Sequence, residues 1–273
     1  MHAVRPTAVA GTFYPADPVE LGDQIDGMLA AAAGAADSAQ DTSPGLPRAL
    51  IAPHAGYIYS GPIAATAFQT LARVADDIRR VIVIGPSHFV RFAGIALPQA
   101  EVFATPLGDC ELDSDGIRHL LELPQVVTAA EPHRREHAVE VELPFLRRVL
   151  GDFSLLPLVT GDATAAQVAE VLEPLWDDTT LLVVSSDLSH FLDYDSARAR
   201  DAATARTIVG GRHEDLDEGS ACGRLAIQGL KVVAARRGMN IAPLDLRNSG
   251  DTAGPRHEVV GYGAFRIDDG GSG

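Results

Sequence analysis

Three apolar runs in this chain each end in a histidine set in a polar turn. They read Ala49-Leu50-Ile51-Ala52-Pro53-His54, Val81-Ile82-Val83-Ile84-Gly85-Pro86-Ser87-His88 and Leu181-Leu182-Val183-Val184-Ser185-Ser186-Asp187-Leu188-Ser189-His190. Imidazole is the commonest metal ligand and the side chain whose charge changes nearest neutral pH. Short continuous apolar runs bounded by Gly, Pro and Ser mark strands covered on both faces. In open parallel α/β sheets, ligands sit beyond the carboxyl ends of the strands. Three imidazoles delivered to that edge point to one metal-centred pocket.

The surroundings of each histidine sharpen its chemistry. Pro53 ends a ladder and Gly56 permits a sharp turn, so His54 stands on short, stiff backbone that suits a metal ligand. A hydrogen-bonded turn histidine would carry the same signature. His88 repeats the arrangement after Gly85-Pro86-Ser87, where Ser87 either orients a neighbour or caps a turn. His190 reads as a ligand or a general base. Asp187, three residues before it, could bind metal, accept a ring N–H and fix a tautomer, or cap a helix.

Cys222 precedes an apolar helical pattern of Leu225, Ile227, Leu230, Val232 and Val233. A thiol in the first turn of a helix is held as thiolate by the positive dipole end, and thiolate is the form that binds metal. The competing reading is a small buried hydrophobe. Cys110 has no comparable setting and reads as structural. Glu136-His137-Ala138-Val139-Glu140-Val141-Glu142 forms a second acidic and histidine cluster. It lacks the second histidine of a zinc-peptidase helix and reads as a pocket wall or a local ion pair. His2, His119, His133 and His213 fall in polar stretches and read as solvated, and His257 takes no assignment. No phosphate-binding loop, dinucleotide fingerprint or nucleophile elbow is present.

The elements that must position these groups follow from periodicity and punctuation. Asp17 and Pro18 start a helix over 19–33, and residues 34–47 read as a surface loop. A strand over 48–53, a helix over 62–75 and a strand over 80–85 form a β-α-β unit. Short strands are expected over 92–112, helices over 114–122 and 138–149, and a strand over 153–159. A helix over 164–175, a strand over 180–186 and helices over 195–209 and 222–237 follow. Two late strands, Asn240–Leu246 and Glu258–Phe265, pair with each other or edge the sheet, and residues 269–273 read as frayed. The alternation gives an α/β three-layer sandwich with a mostly parallel central sheet. Residues 1–273 read as one domain, long enough to bury a sizeable core without cross-links.

Bulk composition narrows the partners. The formal net charge of −15 disfavours nucleic-acid and anionic-membrane binding, which both need basic patches. Two cysteines exclude a disulfide framework and favour a reduced, cytoplasmic setting. The opening Met1-His2-Ala3-Val4-Arg5-Pro6 lacks the apolar core of a signal peptide, and no run is long enough for a membrane span.

At these residues the chain resembles the Memo family, whose prokaryotic members are called AmmeMemoRadiSam system protein B. The stretches that carry the resemblance are Gly11-Thr12-Phe13-Tyr14-Pro15, Ala52-Pro53-His54-Ala55-Gly56-Tyr57, Gly85-Pro86-Ser87-His88, Glu136-His137, Ser185-Ser186-Asp187-Leu188-Ser189-His190 and Cys222-Gly223-Arg224. The family is similar to the class III extradiol dioxygenases, which hold non-haem iron with two histidines and a glutamate. The resemblance implies a class III extradiol dioxygenase-like fold in which His54 and His88 are the histidine ligands. Cys222 then stands at the carboxylate position, and His190 matches the acid–base histidine with Asp187 beside it. Thiolate is softer than carboxylate, so copper, iron and zinc all fit, and the transition metal expected is iron or copper ahead of zinc. The resemblance also implies radical SAM and AMMECR-type partners.

Three functions remain in view. The leading one is a redox or oxygen-dependent enzyme with a mononuclear His54/His88/Cys222 site, His190 and Asp187 serving proton transfer. Its ligand is a small molecule or peptide in the strand-end pocket. The others are a non-catalytic binding module with a vestigial pocket and a metal-assisted hydrolase in which His190 activates bound water.

Overall fold

The computed structural model describes residues 3–39 and 46–270. In chain order its regular elements are β1 (Val4–Arg5), α1 (Pro18–Ala39), β2 (Pro47–Ala52), α2 (Tyr57–Phe68), β3 (Arg80–Pro86), β4 (Ile95–Leu97), β5 (Val102–Phe103) and β6 (Cys110–Glu111). They continue with α3 (Ser114–Leu120), β7 (Val126–Thr128), α4 (Glu131–Arg134), α5 (Leu143–Leu150), β8 (Ser154–Thr160), α6 (Ala165–Leu172) and β9 (Thr180–Ser185). The last are β10 (His190–Leu192), α7 (Tyr194–Gly210), α8 (Arg224–Arg237), β11 (Asn240–Asn248) and β12 (Val259–Asp268).

A central sheet runs in the order β10-β12-β2-β9-β3-β8-β4-β7, with β11 also paired to β12. Its middle, β2-β9-β3-β8, is wholly parallel. The flanks turn antiparallel where β12 meets β2 and where β4 meets β8. The two late strands do pair with each other, antiparallel, and join the sheet beside β2. The apolar runs alternate between two cores. Val81, Val83, Leu181 and Val183 face one layer with α1, α2 and α5, while Ile82, Ile84, Leu182 and Val184 face the other with α6, α7 and α8. All eight are fully buried, and each contributes about 1.5–3 kcal/mol of apolar burial. Helices on both sides of one sheet make this a mixed α/β fold.

Several boundaries differ from the periodicity. Asp17 caps α1 as expected, accepting from the backbone N–H groups of Val19 and Glu20 at 2.9 and 3.0 Å. However, α1 runs on to Ala39, because the alanine-rich stretch after Leu29 favours helix more than Gly34 breaks it. The rest of the expected loop up to residue 45, with His2 and residues 271–273, lies outside the described residues. The helix expected over 138–149 opens with a 3-10 turn, Glu140–Glu142, and α5 starts at Leu143 with Pro144 in its first turn. The strands β7 and β10 have three residues each, too short for a periodicity to register. No described helix is long and apolar enough to cross a membrane.

Candidate metal centre

Register brings the three runs to a common edge. Ala52 pairs with Ser185, and Ile84 with Val184, so β2, β9 and β3 end side by side. His54 and Asp187 stand two residues past their strands, and His88 two residues past β3. Cys222 arrives from the other side of the sheet, just before α8. A small latch seats it: the Asp187 N–H donates to Cys222 Sγ at 3.2 Å, the Cys222 N–H to the Asp187 carbonyl at 3.2 Å, and the Gly223 N–H to Ser186 Oγ at 2.9 Å. Position 223 must be glycine here, since a Cβ would lie 2.6 Å from Ser186 Cβ and 2.8 Å from the Ser185 carbonyl.

The result is a compact donor set. Ligating atoms of His54, His88 and Cys222 all lie within 4.8 Å of one another. Cys222 Sγ is 3.3 Å from His54 Nε2, and the two imidazole rings cross edge-on with centroids 5.2 Å apart. His88 is oriented by Glu136, which takes its backbone N–H at 2.7 Å and faces its Nδ1 at 2.8 Å. A carboxylate only accepts, so Nδ1 carries a proton and donates to it. This carboxylate–histidine pairing is the arrangement that orients metal-bound imidazoles. Despite the cost of burial, hydrogen bonds and charge from His88 hold the Glu136 carboxyl down at about 2.

Burial sets the protonation of the other groups. It drives His54 down to about 3, helped by repulsion from His88, so the ring is neutral and able to ligate. His133 is a correction to the expectation of a solvated ring. It is buried, packs against Phe103 and faces the Ala96 carbonyl through Nε2 at 2.9 Å. The polar stretch around it hid the fact that only one face of α4 meets solvent. His119 is exposed as expected; His257, which took no assignment, is also exposed, and His213 is half-buried.

Cys222 also corrects an expectation. It precedes Gly223, the N-cap of α8, and does not sit in the helix's first turn. Burial and the nearby Asp187 push its thiol up to about 12, outweighing the backbone donors around it. The sulfur therefore keeps its proton unless a cation replaces it. Cys110 is a free, buried thiol, in keeping with its structural reading.

Asp187 caps no helix. Its Oδ1 accepts the His54 backbone N–H at 2.9 Å, and burial raises its carboxyl pKa while His190 draws it back down. His190 itself is exposed at the rim. It lines both a cavity of about 530 Å³ that reaches His88 and Cys222 and one of about 410 Å³ walled by Phe13, Tyr59, His137, Asp187 and Tyr262.

The Glu136-His137 cluster belongs to this site. His137 stacks on His88 at 4.7 Å and stands 5.3 Å from His54, with Phe13 against its outer face at 4.9 Å. Its reading as a pocket wall matches its place, and Glu136 gains a role in orienting His88. Ser185 and Glu142 escaped notice. Ser185 Oγ lies 2.7 Å from His54 Nδ1 and 2.8 Å from Glu142 Oε1. The Ser185-Ser186 pair past a strand was the available signal. The cavity walls Tyr59 and Tyr262 carried none.

Comparison with known proteins places the chain in a family. The profile of the family described as Memo-like protein matches residues 5–266. Over 97% of this chain and 98% of its own length, a MEMO1 family protein of Ignicoccus hospitalis is 34% identical. A MEMO1 family protein of Aeropyrum pernix is 33% identical over 97% of this chain and 99% of its own length. Among solved structures, an uncharacterized protein of Escherichia coli K12 superposes with a TM-score of 0.51 at 17% identity, covering 80% of this chain and 98% of that one, which speaks to fold alone. The chain belongs to the Memo family.

Proposed function

We propose that the protein is a metal-dependent redox or oxygen-using enzyme that holds one transition-metal ion with His54, His88 and Cys222. The carrying observation is the convergence of these three donors within 4.8 Å from three distant segments. Their chemistry fits such an ion: two imidazoles, one kept neutral by burial and one oriented by a carboxylate, and one thiol whose proton a cation would displace. A sulfur ligand beside two imidazoles suits iron, copper or zinc, and iron or copper fits the redox reading. We read the fold as dioxygenase-like, with Cys222 at the position of the carboxylate ligand. Bound there, the ion would supply redox chemistry.

The chain's own residues do the rest. A small organic substrate enters the cavity between Phe13, Tyr59 and Tyr262, passing His190 at the rim and meeting buried Asp187. His190, exposed to both cavities, takes or returns a proton at the substrate. Asp187 holds the His54 loop through the backbone and shares the electrostatic environment of His190.

Elemental analysis of untagged protein tests this. Near-stoichiometric iron or copper is expected, lost in His54→Ala and Cys222→Ser and kept in His119→Ala, whose ring is exposed. Equal metal content in all four proteins would overturn the reading.

A further inference from the structure

Ser185 Oγ has three close partners and only one proton. It stands 2.7 Å from the Ala138 carbonyl, 2.8 Å from Glu142 Oε1 and 2.7 Å from His54 Nδ1. All of these groups are buried, so no bulk water can mediate between them. The Ala138 carbonyl can only accept, whereas burial raises the Glu142 carboxyl well above its ordinary value, so it keeps a proton of its own to donate. With the hydroxyl proton on the Ala138 carbonyl, what remains for His54 is an oxygen lone pair, and the ring must donate.

We propose that Ser185, pinned between Glu142 and the Ala138 carbonyl, is a positioning residue that fixes His54 as its Nδ1–H tautomer and so aims the Nε2 lone pair at the metal position. Cys222 Sγ is 3.3 Å from Nε2, and in the Nδ1–H tautomer the thiol is the donor of that pair. An ion held there would take the place of one thiol proton beside an imidazole already in ligating form. Glu142 adds constraint: it is fully buried, its Oε1 meets Ser185, and its Oε2 has no hydrogen-bond partner. The carboxyl therefore has one polar anchor, and that anchor is the serine. The two histidines are thus oriented by unlike devices, His88 by a carboxylate and His54 by a hydroxyl.

This inference rests on the metal reading for its purpose but is measurable without metal. Nitrogen-15 spectra of the metal-free protein distinguish Nδ1–H from Nε2–H imidazole, and Co(II) titration followed by thiolate charge-transfer absorption gives affinity. Wild type is expected to show the Nδ1–H form of His54. Ser185→Ala is expected to mix the tautomers and weaken Co(II) binding by about 10–100-fold, the usual loss when a ligand's supporting hydrogen bond goes. Glu142→Gln, which keeps a hydrogen-bonding oxygen and amide at the same place, is expected to retain the tautomer and bind Co(II) within about threefold of wild type.

An unchanged tautomer and affinity in Ser185→Ala would overturn the proposal. So would a loss in Glu142→Gln as large as in Ser185→Ala, which would assign the ring's orientation to the Glu142 carboxyl itself. No Co(II) uptake by wild type would overturn the metal reading instead, and the tautomer spectra would still decide the role of Ser185.

Discussion

Cys222 Sγ and His54 Nε2 lie 3.3 Å apart although 168 positions separate the two residues along the chain. Neither stands inside a regular element. Each is delivered by the end of one, His54 by β2 and Cys222 by the start of α8. The closeness depends on how nearly α8 approaches the end of β9, and Gly223 sets that distance.

Gly223→Ala is therefore expected to act at the site without changing any ligand. The added methyl meets Ser186 Cβ and the Ser185 carbonyl, and overpacking of this kind costs about 1–3 kcal/mol. Relief comes from moving α8 outward, which carries Cys222 away from His54. Thermal melting with and without Co(II) should show a lower midpoint and little stabilisation by the metal. Full stabilisation by Co(II) would show that the close approach is not what places the sulfur.

Metal affinity should rise with pH. The Cys222 thiol is pushed up to about 12 and must lose its proton to ligate, whereas His54, lowered to about 3, competes for protons only in strong acid. One proton leaves per ion bound, so Co(II) affinity is expected to climb about tenfold per pH unit between about pH 5 and pH 9. Isothermal titrations at several pH values would check this, and a flat profile would exclude ligation through sulfur.

The metal-free protein should be acid-labile well before its carboxylates titrate. His54 is lowered to about 3, and His133 and His137 to about 4, chiefly by burial. The unfolded chain takes up these protons near pH 6.5 and the native state refuses them. Their contribution is complete above that pH and is lost as pH falls toward 4, at up to about 1.4 kcal/mol per pH unit for each ring. Glu136, held at about 2, adds a second loss as pH drops below its ordinary value. Urea unfolding in chelator at pH 7, 5.5 and 4.5 measures the slope. Equal stability at pH 7 and 5.5 would mean that the native rings are not shielded.

Arg5→Ala is expected to destabilise the chain by about 3–5 kcal/mol, since it strands a buried carboxylate. Arg5 pairs with fully buried Glu140, which also accepts the Ala8 and Val9 N–H groups at 2.7 and 3.0 Å and the Tyr14 hydroxyl at 2.7 Å. These bonds hold down the segment that sets Phe13 against His137. Urea unfolding should show the loss, and ligands of the cavity beside Phe13 should weaken in parallel. Wild-type stability in Arg5→Ala would show that Glu140 finds other partners.

The sequence made the central strands and the three ligand candidates legible for one reason. A strand buried on both faces must be apolar throughout, and polar residues packed at its exit stand out against it. Cys222 was legible as a thiol near a helix start, but its protonation was not, because that depends on Asp187 and on burial supplied by a distant segment. His133 misled for the same reason: its neighbours in sequence are charged, while its neighbours in space are Phe103 and the Ala96 carbonyl. The Ser185–Glu142 contact spans 43 positions, and no local pattern encodes such a meeting.

The latch that seats Cys222 on Asp187 has a bearing on how the molecule comes apart. An ion gripped on one side by the strand exits and on the other by the start of α8 would rivet two parts that are otherwise joined there by packing and the latch's hydrogen bonds. Stripping it should leave the average shape unaltered but let α8 lift more often, so hydrogen exchange at Ala226 and Ile227 would quicken before any other part of the core loosened.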